Sequence, residues 1–326
     1  VSTHKKYQKI VALCLQLWYN SDLNLLLECV LLNYLLMLVS VAATVVNNSL
    51  RNKFSKDKLK NFSDFFAFNS VVAVAAVTVL LILGKGFGHV STFTILIGLI
   101  FGVVIASEMI FTMIALSIGP MAYTSLIGLC GMVIPTFSGM LFWGETVKPA
   151  QYIGIALMLI SFVLGINPKK DKKMSAKWVL LCAVIFCLNG SMGIIQKVHQ
   201  TSIYKDELSE CLIVAFGFTA VVFLTLSLIS NRFGKPRTIN IKSSLGGCAA
   251  ACGLCMALIH TINIYLAGRM ESAFFFPAIN GSCIFATVLA SVFIFKEKLT
   301  RLQKISITIG IVAILLVGNI TDLIIK

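Results

Sequence analysis

The sequence predicts an all-α integral membrane protein: ten transmembrane helices built as two inverted five-helix repeats. Three observations carry that expectation. The 326 residues are 58% hydrophobic and only 12% charged, with a mean hydropathy of +0.94. A soluble domain carries roughly twice that charged share to cover its surface. Apolar runs of about 20 residues recur along the whole length, as bilayer-spanning helices require. Finally, one apolar pattern occurs twice: Glu145 and Glu297, Gln151 and Gln303, Ile153 and Ile305, and Asn167 and Asn319 all stand 152 positions apart. Each copy is an apolar span, a polar elbow around Glu, and a second apolar span.

The predicted spans fall at about 26–46, 63–83, 94–115, 120–143, 149–167, 177–196, 207–229, 244–268, 272–295 and 302–320. They divide the chain into a first repeat over 26–167, a basic linker over 168–176, a second repeat over 177–320 and a tail over 321–326. Residues 1–25 stand apart. His4, Lys5 and Lys6 followed by Ile10 to Trp18 imitate a signal peptide, but the apolar core is short and lacks a small-residue cleavage site. An interfacial helix is the expectation there. Because the chain opens on Val, upstream sequence outside the native protein is the second reading.

An odd number of spans per repeat forces the second copy into the bilayer upside down, so equivalent loops should carry opposite charge bias. They do. The first loop holds Arg51, Lys53, Lys56, Lys58 and Lys60, and its counterpart holds only Lys197 and Lys205. The Glu145 elbow has Lys148 alone, whereas the Glu297 elbow has Lys296, Lys298, Arg301 and Lys304. Odd-numbered loops hold 18 of the 27 Lys and Arg, which places them in the cytoplasm and both termini outside.

Several segments resemble the EamA-type unit of the drug/metabolite transporter superfamily. They are Gly119 to Ser125, the stretch from Pro135, then Trp143, Gly144 and Glu145, and Gln151 to Gly154. Glu297 and its flanks resemble that unit again, and Asn189 to Ser191 resembles its first span more weakly. The resemblance covers residues 30–320 and implies a secondary transporter of small organic solutes, with ten helices around a central cavity. The second copy departs from it: Thr287 stands where Pro135 has its counterpart, and Lys296 replaces Gly144. Ten-span members usually keep both termini in the cytoplasm, opposite to the charge count.

Glu108 lies well inside the third span. A lone carboxylate costs about 2.5–3.5 kcal/mol at the bilayer centre on insertion scales, so it needs a partner or a wet cavity. The repeat offset carries Glu108 onto His260, which places two titratable groups at equivalent positions of the third and eighth spans. Both are candidates for binding a proton or substrate; a structural pair is the alternative. Asn263, one turn from His260, shares its face. Asn189, Gln196, Asn48 and Asn280 are further hydrogen-bonding candidates, each also explicable as interhelical packing. Glu145 and Glu297 read as structural elbows that cap helices, and Glu207 and Glu210 as acids serving the seventh span's N-terminus. Gly98, Gly102 and the small-residue run 246–253 allow close helix approach in the third and eighth spans.

The net charge of +14 resides in loops without interleaved exposed aromatics, which argues against nucleic acid. The ten cysteines fall mostly within apolar helices as small hydrophobes. Cys252 and Cys255 have no second pair to complete a metal site, so neither metal nor cofactor is expected. The functional expectation is a secondary carrier in a bacterial cell membrane that moves a small organic metabolite by alternating access and couples to protons through Glu108. The expected partners are the lipid bilayer, the solute and protons. A membrane scaffold or sensor that lost transport is the alternative, and an enzyme has no supporting motif.

Overall fold

The computed structural model describes residues 30–51, 61–84, 86–119, 121–164, 175–234, 244–295 and 300–317. The elbow residue Glu297, the linker 168–176 apart from its last two residues, the tail and the segment 1–25 lie outside the described residues. The chain divides into Val1–Val39 and Ser40–Lys326. Of the first unit, the described part is the opening of helix α1, Val30–Arg51.

The regular elements among the described residues are all helical. After α1 come α2 (Phe62–Leu83), α3 (Thr92–Ile118), α4 (Met121–Cys130), α5 (Val133–Trp143), α6 (Pro149–Leu164) and α7 (Ala176–Gln200). A 3₁₀ turn, Lys205–Glu207, leads into α8 (Leu208–Phe233); then follow α9 (Ser244–Ala267), α10 (Ser272–Phe295) and α11 (Arg301–Val317). Six described stretches are long and apolar enough to cross a bilayer: α1, α2, α3, α7, the 3₁₀ turn with α8, and Gly246–Ala267 of α9. The shorter apolar stretches are Ile127–Trp143, Pro149–Leu164, Ser272–Ala286 and Lys304–Val317.

The apolar surface is distributed as in a membrane protein. Leu96, Ile100 and Val103 form an exposed stripe on α3 at helical spacing, and Val221, Leu224 and Leu228 form another on α8. A soluble monomer rarely tolerates such stripes, whereas lipid tails receive them. Polar groups go inward instead: Ser40, Asn47, Ser63, Asn69, Ser161 and Gln196 are all buried.

The predicted fourth span is broken into α4 and α5. At Gly131 and Met132 the bonds shorten to a 3₁₀ pattern, with Gly131 N–H to Gly128 O at 3.0 Å and Ile134 N–H to Gly131 O at 3.0 Å. Pro135, four residues after Gly131, has no N–H to give to that carbonyl and its ring crowds it, which explains the break. Hydropathy, which counts side chains, does not register a lost backbone donor.

Within Ser40–Lys326, α2 packs on α8 and α9, α3 on α7 and α8, α6 on α11, and α10 on α5 and α11. Small residues set the closest approaches. A Cβ on Gly102 of α3 would lie 2.6 Å from the Ala215 carbonyl oxygen and 3.0 Å from the Phe218 Cβ. A Cβ on Gly253 of α9 would lie 2.5 Å from the Val72 carbonyl oxygen and 2.6 Å from the Ala75 Cβ. Each glycine thus meets a carbonyl and the Cβ three residues further on. The small faces of α3 and α9 therefore seat on α8 and α2 respectively. On α6 and α11, the Ser161 Oγ donates to the Ser306 carbonyl at 2.7 Å and the Ser306 Oγ returns the bond to the Ser161 carbonyl at 2.7 Å.

Candidate functional site

A cavity of about 880 Å³ opens between the C-terminal end of α1, the start of α2, the C-terminal part of α3 and the end of α8. Asn61, Phe62 and Ser63 line it on one side, Leu116 and Ser117 on a second, and Ser230 and Gly234 on a third. Met109, Met113 and Phe65 form apolar walls, and Arg51, Glu108 and Thr112 supply polar chemistry. At 1.5 Å per residue, Glu108 lies about 13 Å along α3 from Ser117.

Helix α3 fixes Glu108 by local geometry. Residue 112 is one turn on, and the Thr112 hydroxyl donates to Glu108 Oε1 at 2.8 Å. The Asn189 amide of α7 reaches the same oxygen at 3.4 Å and also donates to the Ile185 carbonyl at 3.2 Å. Glu108 and Asn189, two candidates the sequence named separately, thus meet in the structure.

His260 takes another environment. Its ring meets the Phe101 ring edge-on at 5.7 Å between centroids and the Phe216 ring at 5.3 Å. Its Nδ1 is buried without a hydrogen-bond partner among the described residues. The cavity is lined by Glu108 and not by His260, so the shared outlook suggested by the repeat offset is not found in this conformation. Asn263 accepts from the Ser40 hydroxyl at 2.7 Å, and Asn280 donates to the Phe276 carbonyl one turn back at 2.8 Å. Gln196 is buried on α7 and Asn48 is half-buried on α1; neither lines the cavity.

Arg51, which sequence reasoning placed among the loop cations, is the cavity residue it missed. The guanidinium sits 6.0 Å over the Phe68 ring. Its Nε donates to Asn47 Oδ1 at 3.4 Å and its Nη1 to Asn69 Oδ1 at 3.3 Å. The spacing of Asn47 and Arg51 on one helix face was the available signal. The run of lysines that follows concealed it.

Two acids fasten the helix ends at the opposite loops. Glu145 follows Gly144, which ends α5 in the left-handed region at φ 63°. Its Oε1 receives the Lys197 ammonium at 2.6 Å, and its Oε2 accepts the Ser272 backbone N–H at 2.7 Å. The helix whose first N–H Glu145 accepts is α10, 127 residues away, rather than the one its own elbow leads into. Lys197, read as a loop cation, is instead buried within α7. Glu207 behaves in the same way. It accepts the Ser91 N–H at 3.0 Å and the Ser91 hydroxyl at 2.7 Å, serving the N-terminus of α3 rather than that of α8. The Trp143 indole donates to Thr201 at 3.0 Å beside the first clasp. In each clasp a carboxylate meets the positive end of a helix dipole.

Among the described residues no group of three or more His, Cys, Asp or Glu is placed to hold a metal ion. No family model matches the chain, and no curated protein matches it. Among solved structures, one described simply as a crystal structure of protein superposes with a TM-score of 0.67. That match covers 87% of this chain and 98% of the other at 14% identity, a likeness of fold that says nothing of substrate.

Proposed function

We propose that this protein is a secondary carrier of the drug/metabolite type, moving a small organic solute across a bacterial plasma membrane by alternating access. The observation that carries the reading is the cavity, which reaches from helix ends at odd-numbered loops down to Glu108. The even-numbered loops are drawn together by the Glu145 and Glu207 clasps. A cavity lying toward one set of loops, with the other set fastened, fits one state of a carrier. Because the odd loops hold most of the Lys and Arg, the cavity's side faces the cytoplasm.

The ten-span, inverted-repeat arrangement belongs to the same proposal, with α4 and α5 together forming the fourth span. Three packing relations favour it. Helices α2 and α8 pack on each other, as do α6 and α11, and in a five-plus-five count each is a pair of equivalents. The Gly102 crossing of α3 on α8 is built like the Gly253 crossing of α9 on α2. The 152-residue offset also carries the Ser161–Ser306 contact onto Ala313 and Gly154, and a Cβ on Gly154 would lie 2.9 Å from the Ala313 carbonyl.

Glu108 is the proton site in this reading. It is a carboxylate within the membrane, held by two hydrogen bonds and facing a cavity that admits water and solute. Protonation at Glu108 and solute binding in the same hollow give the exchange a physical basis. Counterflow of radiolabelled solutes in proteoliposomes tests the proposal. Saturable counterflow that a pH gradient accelerates is the expected result, and its absence across a broad metabolite panel favours the scaffold alternative.

A further inference from the structure

We infer that the cavity takes a small organic anion, a carboxylate on an apolar body, and that Arg51 is the residue that binds its charged group. The inference rests on the carrier reading for its biological sense but not for its chemistry. Arg51 is the one basic residue among the described residues that line the cavity. Its guanidinium is held from one side by Asn47 and Asn69, and Phe68 lies beneath it. Those contacts use Nε–H and one N–H of Nη1. Nη2 is buried and has no hydrogen-bond partner among the described residues.

A buried guanidinium nitrogen without a partner loses its hydration with no replacement, a cost of about 1–3 kcal/mol or more for a charged group. A bound carboxylate would remove that cost. Nη2 is closed to water in this conformation, so the carboxylate reaches it only once the side chains around it shift; it then engages the end-on fork of Nη1 and Nη2 through two parallel N–H···O bonds, the geometry that makes Arg selective for planar oxyanions. Asn47 and Asn69 already fix the orientation, so little rotamer freedom is lost on binding. Met109, Met113 and Phe65 supply apolar and polarisable wall for the remainder of the solute. Glu108, an acid in the same cavity, disfavours a second negative charge on the solute. The class is therefore monoanionic.

The test is binding to the purified full chain, followed by melting temperature, for monocarboxylates of about four to ten carbons, linear, branched and aromatic. Each acid is matched with its amide and its amine, and phospholipid is held constant. Ligand that binds the folded state raises the melting temperature by mass action. The expected result is protection by at least one carboxylate with roughly tenfold or greater preference over its amide, one such factor being about 1.4 kcal/mol. Arg51→Gln should abolish that preference, and Arg51→Lys, which keeps the charge and the fold, should weaken it. Protection by amines or amides equal to that by acids overturns the inference, as does a preference that survives in Arg51→Lys and Arg51→Gln alike. So does a panel in which no acid protects. An anionic phospholipid that competes with the carboxylates would identify a headgroup as the occupant and overturn the solute assignment. Carboxylate binding without counterflow would remove the carrier reading and leave the inference; counterflow of neutral solutes alone would do the reverse.

Discussion

Glu108 keeps its position through two donors that come to a single oxygen, Thr112 at 2.8 Å and Asn189 at 3.4 Å. Glutamine at that position retains a carbonyl oxygen for both donors, exchanges the second oxygen for an NH2 donor and cannot ionise. Glu108→Gln should therefore elute and melt as the parent protein does while pH-driven uptake falls tenfold or more. Unchanged proton dependence in that variant would remove Glu108 from the mechanism. Lys197 and Glu145 present the opposite case. Their side chains are 7% and 12% exposed, and breaking a buried ion pair by removing one partner costs about 3–5 kcal/mol. Lys197→Ala should lower the melting temperature, whereas Lys205→Ala, at an exposed turn position, should leave it close to the parent value. At this scale the sequence revealed Glu108, because an acid within an apolar run is conspicuous. It concealed Arg51 and Lys197, because a cation at a helix end beside a loop looks the same whether it faces solvent or turns inward. The partner of Glu145 lies 127 residues away, and no local pattern encodes it.

The helices associate through backbone proximity rather than through a hydrophobic drive, since lipid tails are as apolar as leucine. Gly102 and Gly253 are the places where that proximity is greatest. A valine at either position would force its Cβ onto a carbonyl that belongs to another helix, an overpacking that costs about 1–3 kcal/mol. Gly102→Val and Gly253→Val should each reduce thermal stability in detergent, whereas Gly217→Val on α8, where a Cβ meets nothing within 4 Å, should have little effect. If all three melt alike, the crossings are looser than described. The small-residue runs were legible in the sequence, but their partners were not, because i, i+4 spacing identifies a face without saying which helix will fill it. The interruption between α4 and α5 was hidden for a related reason. Pro135 and Gly131 are both plainly present, yet a proline within a membrane helix is compatible with a kink, a break or neither until the neighbouring carbonyls are placed.

For the molecule as a whole, charge and composition were sufficient to indicate an all-helical membrane protein, and long apolar helices with lipid-facing stripes accord with that. The proposed mechanism adds a direction. In that mechanism solute and proton enter from the end where α1, α2, α3 and α8 border the cavity, and the Glu145 and Glu207 clasps must release for the other end to open. The clasps join α10 to α7 and α3 to the turn before α8, so their opening is a movement of whole helices rather than of a loop. Loosening one clasp should shift the population toward the other state. In a cysteine-free background, Ser272→Cys should react faster with an impermeant maleimide from outside when combined with Lys197→Ala. An unaltered rate would mean that the clasp is structural only.

The most direct test of the central claim, a solute cavity that opens to the cytoplasm, is sidedness of labelling on its wall. Ser117→Cys, in the same cysteine-free protein in intact membranes, is to be treated with an impermeant maleimide from each side in turn. The account predicts rapid modification from the cytoplasmic side, slow modification from outside, and protection by bound solute. Rapid labelling from the outside, or labelling that no solute alters, would contradict it.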